Sequence, residues 1–125
     1  MIKYLFILQL VLISALSCYS QAGKADFKFE SEVYKFGKVK EKEVLKFDYK
    51  FTNSGTEPLL ITEIKVTCGC TVPDYPSQPI PPGKTGIIKV TFDTKSKIGY
   101  QDRTLEIFSN AKKSPKIIRF KGTVN

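Results

Sequence analysis

Cys68-Gly69-Cys70 sets two thiols one glycine apart at the end of a strand-like run, in a chain of 125 residues with three cysteines and no histidine. Such a pair serves as a disulfide, a soft-metal clip, a thiol–disulfide exchange couple or a buried structural element. In a regular strand, residues two apart share a face with Cα atoms roughly 6.6 Å apart. The usual disulfide spacing is about 5.5–6 Å. A Cys68–Cys70 bond therefore needs a bent backbone, which Gly69 permits. As a staple it constrains little, because so short a loop removes little freedom from the unfolded chain.

Each use of the thiols makes its own demand. Two thiolates suit Cu(I), whereas zinc needs two further ligands, available here only as carboxylates or from a second molecule. Exchange chemistry needs a thiol whose pKa is lowered by a histidine, a helix start or a cation; Lys65 is the nearest cation in sequence. As small hydrophobes the two cysteines would simply pack at the end of a strand. Thr71 completes a C-G-C-T motif, and the segment from Thr71 to Pro82 holds five prolines and an exposed-looking Tyr75. Such a stretch is stiff and extended. It reads as a long crossover loop between two sheets, or as a preordered contact surface around Tyr75. The candidate functional residues are thus Cys68, Gly69, Cys70, Thr71 and Tyr75, with Cys68 and Cys70 the candidate metal ligands.

Other chemistries lack their parts. Without histidine there is no base for a Ser-His-Asp or Cys-His hydrolase. No glycine-rich phosphate loop occurs. Asp74, Asp93 and Asp102 fall beside expected turns and read as solvated loop acids, not as the paired carboxylates of a glycosidase. The expectation is a non-enzyme that needs no cofactor.

The elements that position the pair are strands. Leu45, Phe47, Tyr49 and Phe51 alternate with Lys46, Asp48 and Lys50, the period of a strand with one buried face. Similar alternation surrounds Phe27, Tyr34 to Val39, Ile88 to Phe92, Leu105 and Ile107, and Ile118 and Phe120. Between Ile61 and Ile64 the alternation slips, predicting a bulge. Turn residues stand at Thr52-Asn53-Ser54-Gly55, Pro81-Pro82-Gly83-Lys84 and Ser109-Asn110. About seven short strands without helical periodicity predict an all-β, immunoglobulin-like β-sandwich in a single domain.

A basic start at Lys3, an apolar run from Tyr4 to Leu16 and small residues after it form a secretory signal. The run is short of the roughly 20 residues that span a membrane. Cleavage after Ser20 gives a signal peptide over 1–20 and the sandwich domain over 21–125. The alternative is a bacterial lipoprotein cut before Cys18 and lipidated on it, since Ala15-Leu16-Ser17-Cys18 resembles a lipobox displaced by one position. The expected location is periplasmic or secreted, with membrane attachment only through a lipidated Cys18. The net charge is +8, of which the signal contributes only Lys3. Export argues against a nucleic-acid partner despite that charge, which leaves a protein or another component of the cell envelope.

The run Phe47 to Leu59 reads F-x-F-T-N-x-G-x-x-P-L, followed by Cys68-Gly69-Cys70-Thr71, Pro81-Pro82-Gly83-Lys84, Val90-Thr91-Phe92-Asp93 and Ser109-Asn110. This resembles an uncharacterised bacterial family of exported immunoglobulin-like domains, over Phe27 to Val124. The F-T-N-x-G-x-x-P-L segment is also similar to sperm-protein-like and cilia-associated immunoglobulin-like domains, which are interaction modules. The resemblance implies the fold and brings no established activity; with no catalytic set in the chain, the expectation is an exported, non-catalytic binding or interaction module of the cell envelope.

Overall fold

A computed structural model describes residues 24–125; the expected signal peptide and the Cys18 alternative lie outside the described residues. Eight strands follow in order: β1 (Phe27–Phe29), β2 (Val33–Val39), β3 (Val44–Asn53), β4 (Ile61–Val66), β5 (Thr71–Asp74), β6 (Thr85–Asp93), β7 (Gly99–Ser109) and β8 (Lys116–Val124). They form two four-stranded sheets, β1-β3-β6-β5 and β2-β8-β7-β4. All pairings are antiparallel except that of β2 with β8, which run parallel.

The alternating pattern places the core. From β3, Phe47, Tyr49 and Phe51 turn inward while Lys46, Asp48 and Lys50 face out. Ile88, Val90 and Phe92 of β6 join them from the same sheet, and Leu105, Ile107, Ile118 and Phe120 answer from the other. Phe120 of β8 meets Phe92 and Phe47 across the interior, with ring centroids 5.0 and 5.1 Å apart. Such tilted and edge-to-face contacts suit the ring quadrupoles. The expected slip in β4 is a register shift between Ile61 and Glu63.

Two expectations need correction. The proline-rich segment is not a crossover loop: Thr71 to Asp74 form β5, an eighth strand paired with β6. Pro73 is tolerated there because β5 is an edge, where one backbone N–H is not needed by a neighbour. The chain passes between sheets earlier, in the few residues from Val66 to Thr71 that contain the two cysteines. Asp102 also lies well inside β7 and not beside a turn, where its Oδ1 accepts from Arg119 Nε at 3.2 Å.

The turn after β3 is held by one side chain. Asn53 is fully buried. Its Oδ1 accepts from the backbone N–H of Asp26 (3.3 Å) and Gly55 (3.0 Å), and its Nδ2 donates to the carbonyls of Glu57 (2.7 Å) and Ile80 (2.9 Å). The amide thereby fills its two donor and two acceptor positions. Gly55 must be glycine because a Cβ there would overlap the carbonyl oxygen of Lys24. Leu59, at the end of the motif, is fully buried and exchanges backbone hydrogen bonds with Ile80. Asn110 holds the same segment from the other side, accepting from Leu60 N–H at 2.8 Å and donating to Pro58 O at 2.9 Å.

A second tie joins the sheets directly. Tyr49 of β3 donates its phenol proton to the carbonyl of Arg119 on β8 at 2.6 Å. Burial, with a smaller contribution from nearby Tyr34, pushes the Tyr49 phenol well above its ordinary value near 10. The folded state therefore holds this proton more tightly than the unfolded chain. Its contribution is complete below about pH 10 and is lost as pH rises above it.

Three outcomes follow, the first two read as stability in urea. Asn53→Ala strands several buried backbone groups and should lower stability by about 3–5 kcal/mol. Asn110→Ala, at an exposed position, should lower it by about 1 kcal/mol. In an alkaline titration followed by tyrosinate absorbance, one tyrosine should ionise only together with unfolding, and in Tyr49→Phe that coupled step should vanish.

Candidate functional site

Cys68 and Cys70 form a disulfide with Cα atoms 5.2 Å apart, closer than a regular strand would bring them. The bend is a tight turn in which Thr71 N–H donates to Cys68 O at 3.1 Å and Cys70 N–H donates to Cys68 Sγ at 3.2 Å. Immediately afterwards Cys70 O accepts from Asp93 N–H at 2.9 Å, extending the β5–β6 ladder by one step. The link therefore sits where the chain leaves β4 in one sheet and enters β5 in the other. Of the four readings open from the sequence, the structure holds the disulfide.

The five candidate residues divide by environment. Thr71 is buried, and Cys70 packs against the core. Gly69 is exposed, and nothing stands within 4 Å of the place a Cβ would occupy. Its φ is not in the left-handed region, so the turn itself does not demand glycine. Tyr75 is half-buried against the core, not exposed as expected, with its hydroxyl 3.5 Å from Thr62 O. Cys68, Gly69, Cys70 and Thr71 form one turn; Tyr75 follows β5 and belongs to the packing beneath it.

As a disulfide the pair offers no thiolate, so metal capture would require reduction first. Among the described residues no three Cys, Asp or Glu side chains converge on a common point. Lys65, the cation nearest in sequence, places its ammonium 5.0 Å from the centre of the Phe108 ring. A different cation faces the interior on this side. Arg103 of β7 lies 5.9 Å from the ring centre of Phe92, the register partner of Thr71. Its Nη2 donates to Gln101 Oε1 at 2.8 Å. Sequence reading missed Arg103, although it is in phase with inward-facing Leu105 and Ile107.

The loops around the turn carry exposed apolar groups. Ile98 lies between β6 and β7, Tyr100 near the start of β7, Val44 at the start of β3 and Val72 in β5; all four are exposed. At this end Thr94 is fully buried, and its hydroxyl donates to Glu43 O at 2.6 Å. That bond fixes the loop after β6 against the loop before β3.

A family model for proteins of unknown function, DUF1573, matches residues 27–124. No curated protein matches the chain. Among solved structures, a protein of unknown function from Porphyromonas gingivalis W83 superposes with a TM-score of 0.70 at 16% identity, over 79% of this chain and 46% of that one. The secreted serine protease VesC from Vibrio cholerae matches with a TM-score of 0.61 at 11% identity, over 79% of this chain and 23% of that one. The ASH/PapD-like domain 7 of human CEP192 matches with a TM-score of 0.60 at 11% identity, over 80% of this chain and 85% of that domain. The chain thus spans less than half the length of the first two. At these identities the likeness is one of fold, an immunoglobulin-like sandwich.

The state of the pair is directly measurable. Intact-mass analysis after alkylation without reductant should find no adduct on Cys68 or Cys70, and two adducts after reduction. A peptide covering both residues that alkylates without reductant, after chelator treatment alone, would instead identify a metal-bound dithiolate. The Cys68→Ser, Cys70→Ser variant should stay folded and lose no more than about 2 kcal/mol, because the loop it opens is so short.

Proposed function

The chain belongs to the DUF1573 family, and we propose that it is an exported, non-catalytic binding module of the bacterial cell envelope, periplasmic or secreted. The binding end is the one where the Cys68–Cys70 turn carries the chain from sheet to sheet. One observation carries this reading. The four most exposed large apolar side chains among the described residues are Ile98 (69%), Tyr100 (66%), Val72 (59%) and Val44 (54%), and all lie toward that end. Nothing in the fold requires them there, since the core is filled by other residues. Exposed apolar and aromatic groups held on fixed strands and pinned loops are what a protein contact uses.

The acids that might suggest hydrolysis have local employment. Asp93 Oδ1 accepts from Lys95 N–H at 3.0 Å, and Asp102 pairs with Arg119. The disulfide then acts as a covalent brace for the turn beneath the contact surface, and the secretory signal would deliver the chain to a compartment where such a bond persists. A second reading, thiol exchange or copper-type metal handling by Cys68 and Cys70, draws on Arg103. An inward guanidinium at this level of the sandwich would favour a thiolate once the pair is reduced.

A photo-crosslinking residue placed at Ile98 or Val72 in the producing cell should yield a discrete adduct of higher mass. The same residue at Ile117, exposed near the start of β8, should yield none. Adducts only from Ile117, or equal adducts from all three positions, would contradict a binding end at the Cys68–Cys70 turn.

A further inference from the structure

On the outer face of the second sheet, beside the proposed contact end, the register creates an electrostatic conflict. Lys35 of β2 and Lys121 of β8 are direct partners in the parallel ladder. Like charges side by side on neighbouring strands raise the energy of the fold. The acid that could relieve them is Asp102, the partner of Lys121 on its other side, but Asp102 is held by Arg119. Neither lysine has an ion pair among the described residues.

Beside this pair the surface is hollow. Gly37 and Gly122 face each other in the next step of the ladder, after a register shift between Lys35 and Gly37. Gly37 has φ +71° with nothing within 4 Å of a Cβ position, and Phe36 packs so closely against Gly122 that no Cβ would fit there. Bare backbone over an aromatic ring makes the floor of a trough of about 380 Å³, whose walls are Lys35, Lys38, Lys121, Tyr100 and Thr123, with no acidic side chain. Tyr100 stands on one wall with its ring largely in solvent.

We propose that this trough binds an acidic polysaccharide, with carboxylates of the chain paired to Lys35, Lys121 and Lys38 and a sugar ring stacked on Tyr100. The chemistry selects this class. Lysines are compact point charges that attract carboxylates and phosphates alike; what favours a sugar chain over a bare phosphate is the exposed Tyr100 ring beside them. An exposed aromatic ring offers an apolar face with little conformational freedom to lose. Successive outward positions along a strand repeat about every 6.6 Å, so the Lys35–Lys121 row and the row of Tyr100, Thr123 and Lys38 stand one step apart. The site goes beyond the protein contact proposed above: it shares Tyr100 with that contact, while its lysines and glycines lie outside it and Ile98 and Val72 form no part of the trough.

Binding of the purified protein to polygalacturonate, measured by calorimetry, tests the assignment, with neutral dextran and phosphatidylglycerol vesicles as comparison ligands. Polygalacturonate should bind and weaken with added salt, while dextran should not bind. Lys35→Gln with Lys121→Gln should weaken binding roughly tenfold, as expected for losing two exposed ion pairs. Tyr100→Ala should weaken it several-fold. Lys46→Gln with Lys89→Gln, on the outer face of the other sheet, removes the same charge and should leave affinity within about twofold. The Lys35→Gln, Lys121→Gln protein should also melt at or above the wild-type temperature at low salt, since a repulsion has been removed. Equal loss in the Lys46, Lys89 variant would reduce the effect to net charge and overturn the site. Binding to vesicles but not to polygalacturonate, binding to dextran, or a lower melting temperature in the Lys35, Lys121 variant would overturn it as well.

Discussion

The buried amide of Asn53 is the constraint on which the rest of the sandwich depends. It closes the turn after β3, holds the segment preceding β1 through Asp26, the segment entering β4 through Glu57, and the connection between β5 and β6 through Ile80. No other residue type could do this, because the site demands two acceptors' worth of oxygen and two donors on one short planar group. Aspartate would present a charge and lose both donors. Because the group is fully buried, each unmet partner would be stranded away from water. Gly55 completes the arrangement by letting the Lys24–Ala25 backbone approach where a side chain would stand.

The chain repeatedly leaves one sheet for the other, and different chemistry holds different passages. Between β3 and β4, amides do the work: Asn53 from one side and Asn110 from the other grip residues 57 to 60. Between β4 and β5 there are only four residues, Thr67 to Cys70, and a covalent bond fixes the bend. Between β2 and β3, the Thr94 hydroxyl holds the backbone at Glu43. The disulfide is thus read most simply as a brace on a short, four-residue passage. Its loop is too short to stabilise much by chain entropy; what it fixes is local shape, at the end where apolar side chains are most exposed.

Much of this was legible in the residues. Alternation around Leu45 to Phe51 and Ile88 to Phe92 marked the two central strands of one sheet, because a period of two with one apolar face leaves little else. The slip between Ile61 and Ile64 marked the bulge. The F-T-N-x-G-x-x-P-L segment marked a turn, although its hydrogen bonds reach Asp26 and Ile80, partners no local pattern names. β5 was hidden because Pro73 argues against a strand, and only its place at an edge removes the objection. Tyr75 looked exposed among prolines and instead packs under the strand. Arg103 was in phase with Leu105 and Ile107 but went unread because a charge is not expected on an inward face, whereas the Lys35–Lys121 pair depends on strand register, which side-chain alternation within one strand does not encode.

On the proposed function, one end of the sandwich, shaped by the Cys68–Cys70 turn, meets a partner while the rest serves to hold it. Hydrogen–deuterium exchange of the protein, with and without a solubilised envelope fraction from the producing organism, distinguishes such an end from the remaining surface. Added protection confined to segments 67–74 and 94–100 is the expected result. Protection centred on the turns near Asn53 and Asn110, or none anywhere, would contradict it.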